Sequence, residues 1–134
     1  MMNHCCEHTI RLVLLIMYGR PFGGTGILWR KRLGINVRLV HKSANGRTIT
    51  VGLSDKMLLT SVYLPCQVSS VDYTVELRNI CADLDSVMDA YANYMHLIAG
   101  DFNFECSNVN TGYRIFNSLA VDWQLKCLDK YDDK

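Results

Sequence analysis

With two prolines among 134 residues, and 49% of the residues apolar, the chain has none of the composition of a disordered segment. At this length it is one domain at most, large enough to bury a core. Six cysteines are present (Cys5, Cys6, Cys66, Cys81, Cys106, Cys127), yet none stands in CxxC spacing, which argues against a disulfide framework or a zinc ribbon. Reduced thiols in an intracellular chain are the expectation. His4, Cys5, Cys6 and His8 include possible metal ligands, but adjacent cysteines close on one tetrahedral ion only with strain, so no zinc site is expected there. The apolar run Leu12–Met17 falls far short of the ~20 residues of a membrane span. Its lead, residues 1–9, carries no lysine or arginine, and Tyr18-Gly19-Arg20-Pro21 is a poor cleavage site, so neither membrane insertion nor a signal peptide is expected. A buried strand is one reading of the run; a segment recruited without selection is the other. A net charge of +1 leaves no overall electrostatic footprint for nucleic acid.

Charge is nonetheless unevenly distributed. Arg20, Arg30, Lys31, Arg32, Arg38, Lys42 and Arg47 gather in the first half, while Asp72, Glu76, Asp83, Asp85 and Asp89 dominate the next segment. The asymmetry is compatible with a basic surface for a phosphate backbone, but more often such a pattern is simply two differently solvated faces.

Hydrophobic periodicity supplies the elements. Gly23-Gly24-Thr25-Gly26 is not followed by Gly-Lys-Ser/Thr and so is no phosphate-binding loop; it reads as the approach to a strand at Ile27-Leu28-Trp29. Ile35, Val37 and Leu39 alternate with Asn36, Arg38 and Val40 as a half-buried strand. Asn45-Gly46 predicts a tight hairpin through positive φ angles, returning along Ile49, Val51 and Leu53. A further turn at Ser54-Asp55-Lys56 leads to Leu58–Tyr63, ended by Pro65. Four strands in an antiparallel meander result. Tyr73, Leu77, Ile80, Leu84, Val87 or Met88, and Tyr91 then recur at helical spacing, and a helix of about 19 residues spans ~28 Å, enough to cross the sheet. Tyr113, Phe116, Leu119 and Ala120 mark one face of a second, short helix capped near Asn110-Thr111, and residues 126–134 read as a tail.

Between the helices lies His96-Leu97-Ile98-Ala99-Gly100-Asp101-Phe102-Asn103. The apolar triplet predicts a short buried strand that delivers a carboxylate and a carboxamide just past its end, where open α/β sheets place their chemistry. Gly100 permits a sharp turn, and Asp101 and Asn103, two apart, point to one side if the chain stays extended. The same residue types also build an ordinary turn. If the strand lies parallel to Leu58–Tyr63, the long helix being the crossover, Tyr63 and Asp101 share a strand end.

The segment Gly19-Arg20-Pro21-Phe22-Gly23-Gly24-Thr25-Gly26-Ile27-Leu28-Trp29-Arg30-Lys31, followed by Val62-Tyr63-Leu64-Pro65 and then by Gly100-Asp101-Phe102-Asn103, resembles the endonuclease/exonuclease/phosphatase superfamily. It is most similar to the apurinic-endonuclease-like domain of non-LTR retrotransposons. The similarity runs from about Gly19 to Glu105. It implies an α/β fold, part of a four-layer α/β sandwich with a mainly antiparallel sheet and one long covering helix. Residues 1–18 would be a divergent N-terminal segment, and residues 19–125 a domain truncated at both ends. The resemblance further implies Mg2+-dependent hydrolysis of a phosphodiester by in-line attack of water, with DNA as partner. Tyr63 would touch the phosphate, Asp101 would position or deprotonate the water, and Asn103 would hold the phosphate or stabilise developing charge. An ordinary tyrosine at the edge of the core is the other reading of Tyr63.

The departures from that family are chemical. Its metal-binding glutamate sits on an early strand, whereas Glu7 has neither an apolar strand before it nor the right distance. The late Asp-His pair is absent, since no histidine follows His96. A hard cation wants several oxygens, and groups that work as a unit lose nearly all their rate when members are missing. The expectation is therefore a fragment of an endonuclease domain that is inactive or severely impaired by itself; the alternative is an active nuclease or phosphatase within a longer or complemented product. Missing strands would leave sheet edges open to association.

Overall fold

The computed structural model describes residues 24–66, 71–104 and 109–128. The divergent segment 1–18, including Glu7 and the His4–His8 cluster, lies outside the described residues. Four strands, β1 (Arg38–Lys42), β2 (Thr48–Ser54), β3 (Met57–Tyr63) and β4 (Met95–Asp101), form one sheet in that spatial order. Helix α1 (Val71–Ala90) connects β3 to β4, and α2 (Thr111–Asp122) follows. β1, β2 and β3 are an antiparallel meander, while β4 lies parallel to β3. The chain is thus of the mixed α/β class, with a mostly antiparallel sheet.

The β1–β2 hairpin is set by Asn45, though not through the backbone angle its type suggested. Gly46 takes the positive φ of 69°, and the Asn45 carboxamide oxygen accepts from Ser43 Oγ (2.7 Å) and from the Arg47 amide (3.1 Å). The side chain therefore stands in for a backbone acceptor across the turn. β1 starts at Arg38, three residues later than the alternation from Ile35 implies. Ile27-Leu28-Trp29 forms no strand: Leu28 makes one isolated bridge, and a single 3-10 turn, Lys31–Leu33, follows.

Alternation along the strands sorts residues between two faces. One carries Thr48 and Thr50 of β2 and Leu58, Thr60 and Val62 of β3, and α1 lies on it. Leu77, Ile80 and Leu84 of α1 pack with Val62 and Leu64, joined by Leu119 from α2. All are nearly inaccessible, and burying each large side chain contributes about 1.5–3 kcal/mol. The apolar stripe read from the sequence is this buried face. Polar groups beneath α1 are paired: Thr50 Oγ1 meets Thr60 Oγ1 at 2.8 Å, and Asp83 Oδ2 accepts from Thr48 Oγ1 (2.8 Å) while contacting His41 Nε2 (2.9 Å).

The opposite face holds Val51, Leu59 and Ser61, all buried. Thr25 crosses it, donating its amide to Gly46 O (3.0 Å) and pairing its hydroxyl with that of Ser61. Away from this crossing the face is open, with Leu39 65%, Met95 59% and Leu97 38% exposed. β4 is correspondingly half-buried rather than the buried strand its apolar triplet suggested, because it is an edge of the sheet among the described residues.

Candidate functional site

The parallel pairing of β3 and β4 runs without a register shift from Met57↔Met95 to Tyr63↔Asp101. Gly100 makes this possible. Its φ is 145°, and a Cβ there would lie 2.0 Å from the Val62 carbonyl oxygen. Close backbone approach, more than a sharp turn, is what the residue provides. Beyond the paired ends, the Leu64 amide donates to Asp101 O at 2.9 Å, extending the ladder past Tyr63. Tyr63, Asp101 and Asn103 therefore meet at one rim, at the carboxyl ends of the parallel pair.

Within that rim the predicted extended geometry does not hold. Asn103 adopts φ 51°, a left-handed conformation that asparagine tolerates better than most residues. Its amide donates to Asp101 Oδ1 (3.1 Å), closing an Asx turn, and its side-chain Nδ2 donates to Leu64 O (2.7 Å). Gly-Asp-Phe-Asn is thus a turn and a clamp at once: Asp101 holds the backbone of Asn103, and Asn103 holds the end of β3. Phe102 and Phe104 fasten the same turn to α2 through Phe116, with ring centroids 5.1 and 5.7 Å away. Asn110 caps α2 as predicted, accepting from the Tyr113 amide at 2.8 Å.

On its other side Tyr63 meets Arg47. The guanidinium carbon sits 5.0 Å from the Tyr63 ring centroid, Nη1 donates to Tyr63 O (3.3 Å), and Nε pairs with Glu76 Oε1 at 2.6 Å. Together with Pro65, Cys66, Asp72 and Tyr73 these residues line a cleft of about 290 Å³. Neither Asp101 nor Asn103 lines it. Burial, with the Cys66 thiol nearby as a smaller cause, raises the Tyr73 phenol above its usual range.

Arg47 is the residue that motif reasoning missed. The hairpin could have found it: with Thr48 opposite Val62, the residue before β2 must stand across from Tyr63. The aromatic packing of Phe104 against α2 left no such local signal.

As a magnesium site the predicted set is sparse. The rim offers the Asp101 carboxylate and the Asn103 amide oxygen, and among the described residues no three His, Cys, Asp or Glu side chains converge. Among the same residues no helix is long and apolar enough to cross a membrane. No protein-family model matches the chain, no curated protein matches it, and no solved structure matches its fold.

Proposed function

We propose that this chain carries part of a phosphodiester-hydrolase rim of the endonuclease/exonuclease/phosphatase type, similar to the endonuclease domain of non-LTR retrotransposons, and that alone it does not cleave DNA. The register Tyr63↔Asp101 carries the proposal. It brings a phenol, a carboxylate and, through the Asx turn, a carboxamide to the carboxyl ends of adjacent parallel strands, where ligands of open α/β sheets bind. In this reading Asp101 orients a water, Asn103 offers its remaining amide N–H to a phosphate oxygen, and Tyr63 steadies the phosphate from the β3 side.

Two features argue that the rim is idle. Arg47, the cation beside Tyr63, has its charge met by Glu76 at 2.6 Å, so an arriving phosphate finds no free positive partner there. Nor does an Asp-His pair follow His96 to supply the remaining charge stabilisation. The open apolar face around Leu39, Met95 and Leu97 favours a second reading, in which further protein completes the site and restores cleavage.

Nicking of supercoiled plasmid by the purified chain with magnesium tests the first reading against an Asp101→Ala control. Equal background for both proteins is expected. Nicking by the natural chain that disappears in the variant would overturn the inactive reading and establish an enzyme.

A further inference from the structure

The loop that leads into β1 carries an inference that stands apart from any nuclease reading. Every residue from Leu28 to Asn36 is exposed, and Leu28, Trp29, Leu33 and Ile35 each leave more than a third of their surface open. Between Trp29 and Leu33 stand three consecutive cations, Arg30, Lys31 and Arg32, and the sequence from Gly24 to Ser54 holds no acid. Arg47 is paired with Glu76, and Arg38 lies over the Tyr91 ring at 5.9 Å. Among the described residues Arg30, Lys31 and Arg32 meet no carboxylate. The loop has a shape of its own. Leu33 N donates to Arg30 O (3.0 Å), Gly34 N donates to Lys31 O (3.4 Å), and Gly34 turns the chain with φ 66°. The 3-10 turn closed in this way keeps the cations and the apolar side chains within one short stretch.

We propose that this loop docks on an anionic lipid surface, its cations against the headgroups and its apolar side chains at the boundary with the acyl chains. A bilayer interface rewards this mixture: tryptophan sits at headgroup level, aliphatic side chains gain by leaving water, and each lysine or arginine is drawn to the negative surface. Docking of this kind needs no membrane-crossing helix, and among the described residues there is none. The aliphatic share decides against a single-stranded nucleic acid, because bases stack on aromatic rings and the loop offers one ring beside three aliphatic side chains. A second copy of the chain fits no better, since a two-fold contact through the loop sets its cations against their own copies. With a net charge of +1 the chain as a whole is scarcely drawn to anions, so the attraction is local to these three residues.

Sedimentation of the full 134-residue protein with vesicles tests the proposal. At low salt, vesicles of phosphatidylcholine containing about one-third phosphatidylserine are expected to bind it about tenfold or more tighter than phosphatidylcholine alone, the difference closing as salt screens the surface. Arg30→Glu with Lys31→Glu and Arg32→Glu is expected to abolish that preference. Lys42→Glu with Lys56→Glu and Lys126→Glu makes the same change in net charge at three exposed lysines elsewhere, and is expected to keep most of it. Trp29→Ser with Leu33→Ser alters no charge and is expected to weaken binding to the phosphatidylserine vesicles by about tenfold. Lipid brominated on its acyl chains is expected to quench the tryptophan fluorescence of the natural protein. No preference for phosphatidylserine would overturn the proposal, as would equal losses in the two charge-reversed triples, undiminished binding of the Trp29→Ser, Leu33→Ser variant, or absence of quenching. A single-stranded oligonucleotide that displaces the protein from the vesicles would also overturn it and assign the loop to nucleic acid. Should a variant fail to fold, the lipid preference and quenching of the natural protein decide the matter. Plasmid nicking reads none of these quantities, so the hydrolase rim stands or falls separately.

Discussion

Gly100→Ala puts the β3–β4 pairing to its hardest test. An alanine Cβ at this position would lie 2.0 Å from Val62 O, 2.8 Å from Val62 N and 2.9 Å from Val62 C, all backbone atoms of the neighbouring strand. Relieving the closest contact moves the strands apart by about 1.5 Å, far more than a hydrogen-bonded ladder absorbs. The φ of 145° adds its own penalty, about 1–3 kcal/mol for a residue with a side chain in this region. Overpacking adds a similar amount, so a loss of about 3–5 kcal/mol is expected. Against a total stability of about 5–15 kcal/mol this is a large share.

Urea denaturation followed by circular dichroism measures it directly. With a slope of about 1–3 kcal/mol per M, the midpoint should fall by roughly 2 M. Gly26→Ala is the control, because a Cβ there meets nothing within 4 Å and its backbone is not in the positive-φ region; it should stay within about 0.5 kcal/mol of the natural protein. A Gly100→Ala midpoint equal to that of the control would refute the close approach, and with it the pairing that places Tyr63 beside Asp101.

Two further perturbations probe the rim and the core. Asn103→Ala removes the bond to Leu64 O and forces alanine into φ 51°, and should cost about 2 kcal/mol in thermal unfolding; Asn103→Gly, which relieves the backbone only, should cost less, and equal losses would show that φ contributes nothing. Burial pushes the Cys81 thiol from 9.0 up to about 11, opposed by the smaller influence of Arg78. The unfolded thiol gives up its proton first, so this contribution is complete below about pH 9 and is lost as pH climbs to about 11, on the order of 2 kcal/mol. Urea midpoints should therefore fall more steeply across that interval in the natural protein than in Cys81→Ala, and parallel curves would count against the shift.

What the sequence discloses depends on whether the partner of a segment is local. The α1 stripe is legible because its period is written in the helix itself, and Tyr73, Leu77, Ile80, Leu84, Val87 and Met88 are all buried. The β2–β3 pairing is equally plain, since a short turn fixes it. Ile35 and Val37 alternate as a strand should, yet the β1–β2 ladder ends where Arg38 meets Gly52, beside the point at which β2 shifts register against β3 between Gly52 and Ser54. Alternation states a willingness to pair; the neighbour decides how far pairing runs. Ile27-Leu28-Trp29 fails for the same reason, having one bridge and two exposed large side chains, Leu28 and Trp29. Of the rim, the meeting of Tyr63 with Asp101 was readable from strand order and the crossover helix. The turn of Asn103 back onto Leu64 was not, because it depends on an acceptor 39 positions away.

That turn bears on how one residue can serve both architecture and chemistry. The Asn103 amide nitrogen has two hydrogens, of which Leu64 O takes one, and Asp101 commits Oδ1 to the Asn103 backbone. Both side chains are thereby fixed in one geometry before any ligand arrives, which lowers the entropy of engaging a phosphate or a water with the groups left over. Arg47 is in the contrary position. Its Nε faces Glu76, its Nη1 faces Tyr63 O, and Asp72 lines the same cleft, so the charge nearest the proposed phosphate position is already answered by carboxylates. Binding an anion there requires Arg47 to exchange Glu76 for phosphate, leaving a carboxylate to be rehydrated or neutralised by a cation brought from elsewhere. The rim is thus preorganised in its neutral and acidic groups and compensated in its basic one, which is the physical reason for expecting geometry without turnover.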